Sequence, residues 1–278
     1  MTAGSLAGCR GEPALVQLVD ARRLASDLHV QFTKAADASN RAVMADTDEA
    51  SAEAAREAEH ARQAVQQQID RLQPILQSLG YAAELQHLDA FKARFAEYQA
   101  LDKEILPLAV ENTNLKAQRL SFGPAQEASE AFRSSLEAAG KSAASRDVDA
   151  LAALVGRATA ALLEIQVIQA RHIAEADEAA MSRMEARMTA SEAAAQNALD
   201  TLKKRLPSSA AAELTAATAA FERFKMTNAE IVRLSRRNSN VRSLALSMGR
   251  KRTVTAQCDD DLRALDEALS KHEFSATR

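Results

Sequence analysis

The chain of 278 residues has few of the residues that interrupt helices or fill a wide globular core. It contains 8 Gly and 5 Pro, has no Trp, and only 4% of its residues are aromatic. Such a composition favours long helices that pack through small and branched aliphatic side chains. The 2 cysteines, Cys9 and Cys258, are far apart and offer no disulfide framework. We therefore predict an all-α protein with a narrow core.

An excess of charge of one sign is also missing. The 35 Lys and Arg residues nearly balance the 38 Asp and Glu residues, so the chain lacks the general positive field that favours nucleic acid. The sequence contains no run of about 18 apolar residues, so it predicts no membrane-spanning helix. The short basic cluster Arg250-Lys251-Arg252 predicts a solvated helix face. We therefore predict no nucleic-acid partner.

The motifs of common catalytic and cofactor sites are absent as well. The sequence has no Gly-rich phosphate loop, no Cys-x-x-Cys-His for haem, and no nucleophile with a recognisable base. A Glu-x-x-His runs from Glu84 to His87, but this motif is not by itself a di-iron site, since such a helical bundle also needs a Glu from each of two further helices. We therefore predict no enzyme activity, no cofactor and no metal site.

What the sequence does contain is an internal repeat. The stretch from Phe95 to Gly123 returns as Phe221 to Gly249, without a gap, at a constant offset of 126 residues (95 to 221). The matched pairs include Glu104/Glu230, Ile105/Ile231, Leu108/Leu234, Asn112/Asn238, Asn114/Asn240 and Ser121/Ser247. Duplication of one helical unit is the simplest account. Residues spaced seven apart in both copies predict a helical seam that contains Asn112 and Asn238.

Helix start and stop signals predict four long helices, which cover residues 13–80, 82–138, 147–206 and 210–271. Gly123 and Pro124 predict a kink or break in the second helix, after which the helix resumes at once. Short turns join these helices, so we predict an elongated antiparallel up-down-up-down four-helix bundle, made of two duplicated long helical hairpins.

The same signals divide the chain into a leader (1–12), a first hairpin repeat (13–139), a linker (140–147), a second hairpin repeat (148–273) and a tail (274–278). The leader contains Leu6-Ala7-Gly8-Cys9, which looks like a bacterial lipobox, where Cys9 is lipidated after signal cleavage. The segment lacks a charged start and a full apolar stretch, so a leader without this meaning is the alternative.

Polar residues of both repeats are predicted to lie at one level, halfway along the bundle. Asp48-Glu49-Ala50 recurs as Asp177-Glu178-Ala179, and antiparallel pairing places these motifs level with Asn112 and Asn238. The candidate ligand-binding residues of this polar layer are Asp48, Asn112, Lys116, His172, Asp177, Arg237, Asn238 and Arg242. Buried polar groups are costly unless paired, so the layer must satisfy itself or meet a polar ligand.

Both interpretations of this layer stay open at the level of sequence. An Asn in a seam can serve only to fix helix register, and His172 can be a satisfied core residue. If the layer forms a pocket, the excess of Arg in the second hairpin favours a carboxylate or another anion.

Four stretches carry a resemblance to a known family. They are LAVENTNLKAQRLSFG, LSRRNSNVRSLALSMG, NRAVMADTDEASAEA and RHIAEADEAAMSRME. Together they resemble the periplasmic sensor domains of bacterial chemoreceptors and histidine kinases that are built as long four-helix bundles, especially the helical bimodular type. The resemblance covers most of residues 13–273 and implies ligand recognition between helices, with a signal passed along them to the membrane.

These observations lead to two functional hypotheses. The first is an extracytoplasmic, periplasmic sensor-like bundle related to chemotaxis, which binds a small organic anion or an amino acid and is tethered to the membrane by a lipid on Cys9. The second is a structural or protein-interaction rod with no small-molecule ligand. Pairing of two copies as a homodimer is compatible with both, since sensor bundles often pair through exposed seams.

Overall fold

The structure, a computed structural model, describes residues 13–141 and 148–272, and within these ranges it contains helices and short connections but no strand. The α-helices are α1 (Ala14–Met44), α2 (Asp48–Leu79), α3 (Ala82–Glu111), α4 (Thr113–Leu120), α5 (Gln126–Lys141), α6 (Val148–Ala174), α7 (Glu178–Arg205), α8 (Ala211–Arg237), α9 (Ser239–Leu246) and α10 (Arg252–Ser270). Two π-helical turns, Ser121–Ala125 and Ser247–Lys251, and a 3-10 turn, Ser208–Ala210, complete the order. The predicted all-α class is confirmed.

The first predicted helix is in fact two helices. After α1 ends, Ala45 is extended (φ −65°, ψ 142°), and the Thr47 side chain accepts a hydrogen bond from the Ala50 N–H at 3.1 Å at the start of α2. The uninterrupted helix predicted over residues 13–80 is therefore wrong at residues 45–47. A capping hydroxyl followed by Asp48 and Glu49 in the first turn stabilises a helix start, because the N-terminus presents unpaired N–H groups and a positive dipole.

The third predicted helix is broken in the same way. α6 ends at Ala174, and the Asp177 carboxylate accepts a hydrogen bond from the Ala180 N–H at 2.5 Å as α7 begins. The repeated Asp-Glu-Ala motif thus marks a helix start in both repeats. The long helix predicted over residues 147–206 is wrong for the same physical reason, since the capping groups favour a new helix over continuation.

Two asparagines interrupt the other long helices. Asn112 lies between α3 and α4 with φ 51°, and Asn238 lies between α8 and α9 with φ 54°. Asn is one of the few residues that enters this left-handed region readily. The Asn112 carbonyl still accepts from the Lys116 N–H at 3.0 Å, so the helix resumes after one residue.

The kink predicted at Gly123 and Pro124 takes the form of a π-helical turn, from which α5 continues directly. The prediction that the helix resumes at once is confirmed. The second copy has a π-helical turn at the equivalent place although it has no Pro, and Gly249 there has non-helical angles (φ −88°, ψ −112°). Because α5 extends to Lys141, the start of the predicted linker is helical, and residues 142–147 lie outside the described residues.

The described chain divides into two compact units. Unit 1 contains residues 13–110 and 243–272, and unit 2 contains residues 111–141 and 148–242. Each predicted repeat supplies residues to both units, so the compact units differ from the repeats at 13–139 and 148–273. The division follows the packing of side chains between helices, which the boundaries of a duplicated segment do not define. The predicted leader, residues 1–12, and the predicted tail, residues 274–278, lie outside the described residues.

The core of unit 1 is lined by α1, α2, α3 and α10. Its centre is aromatic: the Phe32 ring of α1 lies edge-on to Phe91 and Tyr98 of α3, with ring centroids 5.6 and 5.4 Å apart. Such edge-to-face contacts add about 0.5–1.5 kcal/mol each beyond the burial of apolar area. The stop predicted at Gly80 is confirmed by its left-handed conformation (φ 70°) at the end of α2.

The core of unit 2 is lined by α4, α5, α6, α7 and α8. Phe132 and Phe221 meet at its centre, with ring centroids 5.4 Å apart. Among the described helices, α6 alone is long and apolar enough to cross a membrane by length and composition, with a mean hydropathy of 1.6 in a window that is 39% buried. Leu154 and Leu162 of α6 pack into this core, and a core-lining helix passes the same test.

Candidate functional site

The sequence-predicted polar layer contains a cluster in which two helix starts cap each other. The Thr113 N–H donates to the Ser239 hydroxyl at 3.0 Å, and the Ser239 N–H donates to the Thr113 hydroxyl at 3.0 Å. These residues are equivalent positions of the repeat. The first N–H groups of a helix have no partner within the helix itself, so each start depends on a side chain from the other copy.

Four asparagines extend the exchange, and we call Asn112, Asn114, Asn238 and Asn240 the asparagine cluster. The Asn114 and Asn240 N–H groups each donate to the other residue's Oδ1 at 3.1 Å. The Asn114 amide also donates to Asn238 Oδ1 at 2.7 Å, and the Asn240 amide donates to Asn112 Oδ1 at 2.8 Å. The prediction that the polar stretches of the two repeats meet is confirmed.

The asparagine cluster also binds the end of α6 and the turn that follows it. The Asn114 amide donates to the Ile173 carbonyl at 2.6 Å, and the Asn238 amide donates to the Glu175 carbonyl at 2.7 Å. The predicted level of Asn238, beside residues 176 and 177, is thereby confirmed within one residue. Every asparagine of the cluster has protein partners, as a register-fixing role requires.

His172 is fully buried in unit 2, where its Nε2 lies 2.9 Å from Glu185 Oε1. Arg236 binds the same carboxylate, with Nε 2.6 Å from Oε1. The Arg236 guanidinium, with help from His172, holds the pKa of Glu185 below its ordinary value. His172 is thus an interior residue, as one of the two sequence interpretations expected, but only its Nε2 is satisfied, since the buried Nδ1 has no hydrogen-bond partner among the described residues.

The remaining predicted site residues lie at helix ends. Arg237 is half-exposed and binds Glu111, with Nε 2.8 Å from Oε1, and the Lys116 ammonium donates to the Glu111 carbonyl at 2.9 Å. Asp177 is the exposed N-cap of α7. The Arg242 N–H continues the helix by donating to the Asn238 carbonyl. Asp48 begins α2 and belongs to unit 1, whereas the other seven predicted site residues belong to unit 2.

A buried charge cluster in unit 1 was not predicted. It consists of Ser39, Arg62, Tyr98, Asp102 and Lys251. Asp102 is 0% exposed and Lys251 is 2% exposed, with Lys251 Nζ 2.7 Å from Asp102 Oδ1. The Ser39 hydroxyl donates to the same oxygen at 2.7 Å and also contacts the lysine. The Lys251 ammonium lies 5.1 Å from the centre of the Tyr98 ring.

Burial shifts the pKa values of two residues of this cluster, Lys251 and Tyr98. Desolvation lowers the pKa of Lys251, and the Asp102 carboxylate opposes that shift. Burial, followed by the charge of Asp102, raises the pKa of Tyr98. The solvated face predicted for residues 250–252 is therefore wrong at Lys251, because an acidic partner on a distant helix pairs with it in the interior. In the sequence, the one sign of this buried pair was that Asp102 lies next to the apolar seam positions of its helix.

Unit 2 has a mostly neutral polar layer around Asn228, which ends on the Glu192 carboxylate. The Ser121 hydroxyl donates to Gln169 Oε1, the Gln169 amide donates to Asn228 Oδ1, and the Asn228 amide donates to Glu192 Oε1, each at 2.8 Å. Asn228 is the repeat counterpart of Asp102, at the offset of 126 (102 to 228). The two units thus carry a charged and a mostly neutral version of one buried layer.

A groove of about 550 Å³ opens in unit 1 between α1 and the π-helical turn at Ser247–Lys251, and we call it the α1 groove. Its apolar lining includes Phe32, Ala36, Val43, Met44, Leu244 and Met248, and its polar lining includes Asp37, Asn40, Ser247, Lys251 and Arg252. π-helical turns are rare and are frequent at functional sites, which makes this groove a candidate site.

Unit 2 has a groove of about 590 Å³ between α6 and its own π-helical turn, which we call the α6 groove. Six pairs of lining residues correspond at the offset of 126, namely Ser121/Ser247, Phe122/Met248, Gln126/Arg252, Ser129/Thr255, Glu130/Ala256 and Arg133/Asp259. The two grooves therefore occupy equivalent positions of the repeat and differ in charge.

The predicted lipidation site, Cys9, lies outside the described residues. Among the described residues, no group of three or more His, Cys, Asp or Glu side chains could hold a metal ion. Compared with known proteins, the chain matches no family model, no curated protein and no solved structure. The resemblance to sensor domains thus depends on the four sequence stretches alone.

Proposed function

We propose that this protein is an extracytoplasmic, sensor-type helical protein whose unit 1 binds a small carboxylate with an apolar body in the α1 groove. The observation that carries the proposal is the composition of the groove, in which an apolar lining lies beside a few polar and charged side chains. Small-molecule sites have this character, because apolar walls bury the ligand and a few polar groups orient it.

The charges of the groove favour an apolar amino acid within this class. Lys251 is neutralised by Asp102 at 2.7 Å, so Arg252 is the cation that can anchor a carboxylate. Asp37 offers an anion for an ammonium group, since Asp259, the other acidic residue of the lining, is bound by His29 and Arg263. Within the parts of the chain that the structure describes, no ion pair engages Arg252 or Asp37.

Methyl NMR on methionine tests this proposal directly. Met44 and Met248 line the α1 groove and are 71% and 59% exposed, whereas Met226 is 67% exposed and lies outside it. Titration with leucine, and with 4-methylpentanoate as the analogue without the ammonium group, should shift the methyl signals of Met44 and Met248. The signal of Met226 should stay unchanged.

A matched pair of variants identifies the anchoring cation. Arg252→Gln introduces the residue found at the equivalent position of unit 2, and should weaken leucine binding about tenfold because a charge-assisted hydrogen bond is lost. Arg223→Gln, on an exposed position outside the groove, should leave the affinity unchanged. Absence of any methyl shift with either carboxylate at millimolar concentration contradicts the proposal.

A second candidate function, protein interaction without a small ligand, is favoured by the rims of the two grooves. Of the twelve large hydrophobic side chains that are exposed in the described residues, six line these grooves, namely Met44, Leu244, Met248, Phe122, Leu163 and Val167. Exposed apolar patches mark interaction surfaces. A homodimer that loses affinity in the double variant Phe122→Ser, Met248→Ser, together with unchanged methyl signals during carboxylate titration, would support this function.

The proposal includes the bundle arrangement expected from the sequence, applied to each unit as four antiparallel helices around one core. Short connections at residues 45–47 and at Gly80 support it. In unit 1, the His29 ring lies 2.7 Å from the Asp259 carboxylate. A double-mutant cycle of His29→Ala and Asp259→Ala, followed by urea denaturation, should therefore give an interaction energy of about 0.5 kcal/mol or more, and additive effects contradict contact of α1 with α10.

The extracytoplasmic location is proposed from Leu6-Ala7-Gly8-Cys9, with a lipid on Cys9 as the membrane tether. Expression of the native precursor with its upstream codons, followed by mass spectrometry, tests this part separately. A diacylglyceryl adduct on Cys9 supports it, and an unmodified Cys9 contradicts it without affecting the α1 groove.

A further inference from the structure

We propose that unit 1 has another binding site, in a cleft between α2 and α3, which takes a small alcohol whose hydroxyl bridges Arg62 and Asp102. The cleft has a volume of about 560 Å³. Its walls are apolar and are formed by Ala52, Ala55, Leu106, Pro107 and Val110. The polar groups Arg62 and Asp102 lie at the same cleft, and both are buried.

Two polar atoms at this cleft form a long ion pair and lack hydrogen bonds. Asp102 Oδ2 and Arg62 Nη1 have no hydrogen-bond partner in the described parts of the chain, although their side chains are only 0% and 9% exposed, and the buried Tyr98 hydroxyl, which interacts electrostatically with Asp102, has none either. They lie 3.8 Å apart, which is too far for a hydrogen bond between them. Buried polar atoms are nearly always hydrogen-bonded, so this pair is suited to a third group.

The geometry selects the chemistry of that group. An oxygen atom can lie about 2.8 Å from both atoms at once, since these are 3.8 Å apart. It must donate a proton to the Asp102 carboxylate and accept one from the Arg62 guanidinium. A hydroxyl does both, whereas a carboxylate has no proton to donate and an ammonium has no lone pair to accept with.

The partners of the two residues hold this arrangement in place. Asp102 Oδ1 is bound by Ser39 and Lys251, and Arg62 is bound through Nη2 by Glu59. Pro107 in the cleft wall has no N–H, so the carbonyl of Lys103 lacks its usual helical donor. The apolar walls then favour a hydrocarbon body on the hydroxyl group.

Unit 2 provides a comparison within the same chain. Asn228, the counterpart of Asp102, donates directly to Glu192 at 2.8 Å. Its amide group is therefore satisfied by the protein. The unsatisfied pair is thus a feature of unit 1 and does not follow from the repeat.

Calorimetric titration of the full chain with cyclohexanol and cyclohexanone tests the site. The ketone accepts from Arg62 but cannot donate to Asp102, so cyclohexanol should bind at least about tenfold more tightly, as loss of a hydrogen bond to a buried charged group predicts. Ala55→Phe should fill the cleft and abolish cyclohexanol binding. Ala160→Phe, on an exposed position of unit 2, should leave the affinity unchanged.

A second variant tests the role of the carboxylate. Asp102→Asn combined with Lys251→Met removes one charge of each sign, so that the net charge of the cluster is unchanged, and replaces the acceptor with an amide, which should reduce or reverse the preference for the alcohol. Equal affinity of cyclohexanol for the wild type and Ala55→Phe, or equal affinity for alcohol and ketone, overturns the proposal and leaves the cleft to water. The methyl signals of Met44 and Met248 report the α1 groove separately, so failure of one site is distinguishable from failure of the other.

Discussion

Asn114 and Asn240 exchange hydrogen bonds, each backbone N–H donating to the other side chain at 3.1 Å. The two residues are counterparts in the repeat, 126 positions apart. Equivalent residues of the two copies therefore meet directly, and each helix start is completed by the other copy.

This exchange predicts a strong energetic coupling. Asn240→Ala removes the acceptor for the Asn114 N–H and should lower the free energy of unfolding by about 1–3 kcal/mol, the cost of an unsatisfied buried donor. In a double-mutant cycle with Asn114→Ala, urea denaturation should give an interaction energy of about 0.5–3 kcal/mol. Asn197→Ala, in the middle of α7, is the control. Additive effects of the two substitutions contradict direct coupling.

The left-handed conformation of Asn238 predicts an unusual ranking of substitutions. Asn238→Gly and Asn238→Ala both remove the side chain, but Ala pays a steric penalty at φ 54°, so the Gly variant should be more stable by about 1 kcal/mol. At Asn197, inside a regular helix, the ranking should reverse by a similar amount, about 1 kcal/mol in favour of Ala. Thermal and urea denaturation measure both. An Ala variant at least as stable as Gly at position 238 contradicts the assigned conformation.

The Lys251 and Asp102 pair predicts a large effect of removing one charge. Lys251→Met leaves the buried Asp102 carboxylate with only the Arg62 guanidinium, 3.8 Å away, as a cation, and should lower the free energy of unfolding by up to about 3–5 kcal/mol. The double variant Asp102→Asn, Lys251→Ala introduces the residues present at the equivalent positions of unit 2, and should recover much of the loss. A single variant as stable as the wild type in urea argues against the buried pair.

The same pair predicts the sign of a pH dependence. Because burial lowers the pKa of Lys251 from 10.5, the folded state binds fewer protons than the unfolded state between the lowered pKa and 10.5. Stability should therefore rise with pH across that window relative to Lys251→Met. Above pH 10 the raised pKa of Tyr98 acts in the opposite direction. A difference in unfolding free energy that falls with pH below 10 contradicts the assignment.

Cys258 predicts a slow thiol reaction. Burial raises its pKa to about 12, so little of the thiol is ionised at pH 8. Its side chain is 0% exposed, so an alkylating reagent cannot reach the sulfur in the folded protein. In a Cys9→Ser variant, alkylation of Cys258 should be at least about a thousandfold slower in the folded protein than in urea. Rapid labelling of the folded protein, with circular dichroism confirming that it is folded, contradicts the burial of this thiol.

The sequence anticipated the features that depend on local patterns. Residues spaced seven apart predict helices, and antiparallel register in the hairpins predicts that the polar stretches of the two repeats lie at one level. Both predictions are confirmed because helical periodicity and antiparallel register are set by neighbouring residues. The breaks at residues 45–47 and 175–177 were missed, although Thr47 and Asp177 are recognisable caps, because a cap inside a polar stretch is compatible with a continuous helix.

What the sequence by itself determined is the helical class, the duplication and the common level of the polar stretches of its two copies, since each is encoded by spacing along the chain. Only the tertiary structure decided the division into two units, the burial of Lys251 and the unsatisfied pair of Arg62 and Asp102. Lys251 is distant in sequence from Asp102, yet lies 2.7 Å from it. Whether a charged side chain is solvated or buried depends on which partner the packing of helices brings to it, and spacing along one helix does not contain that information.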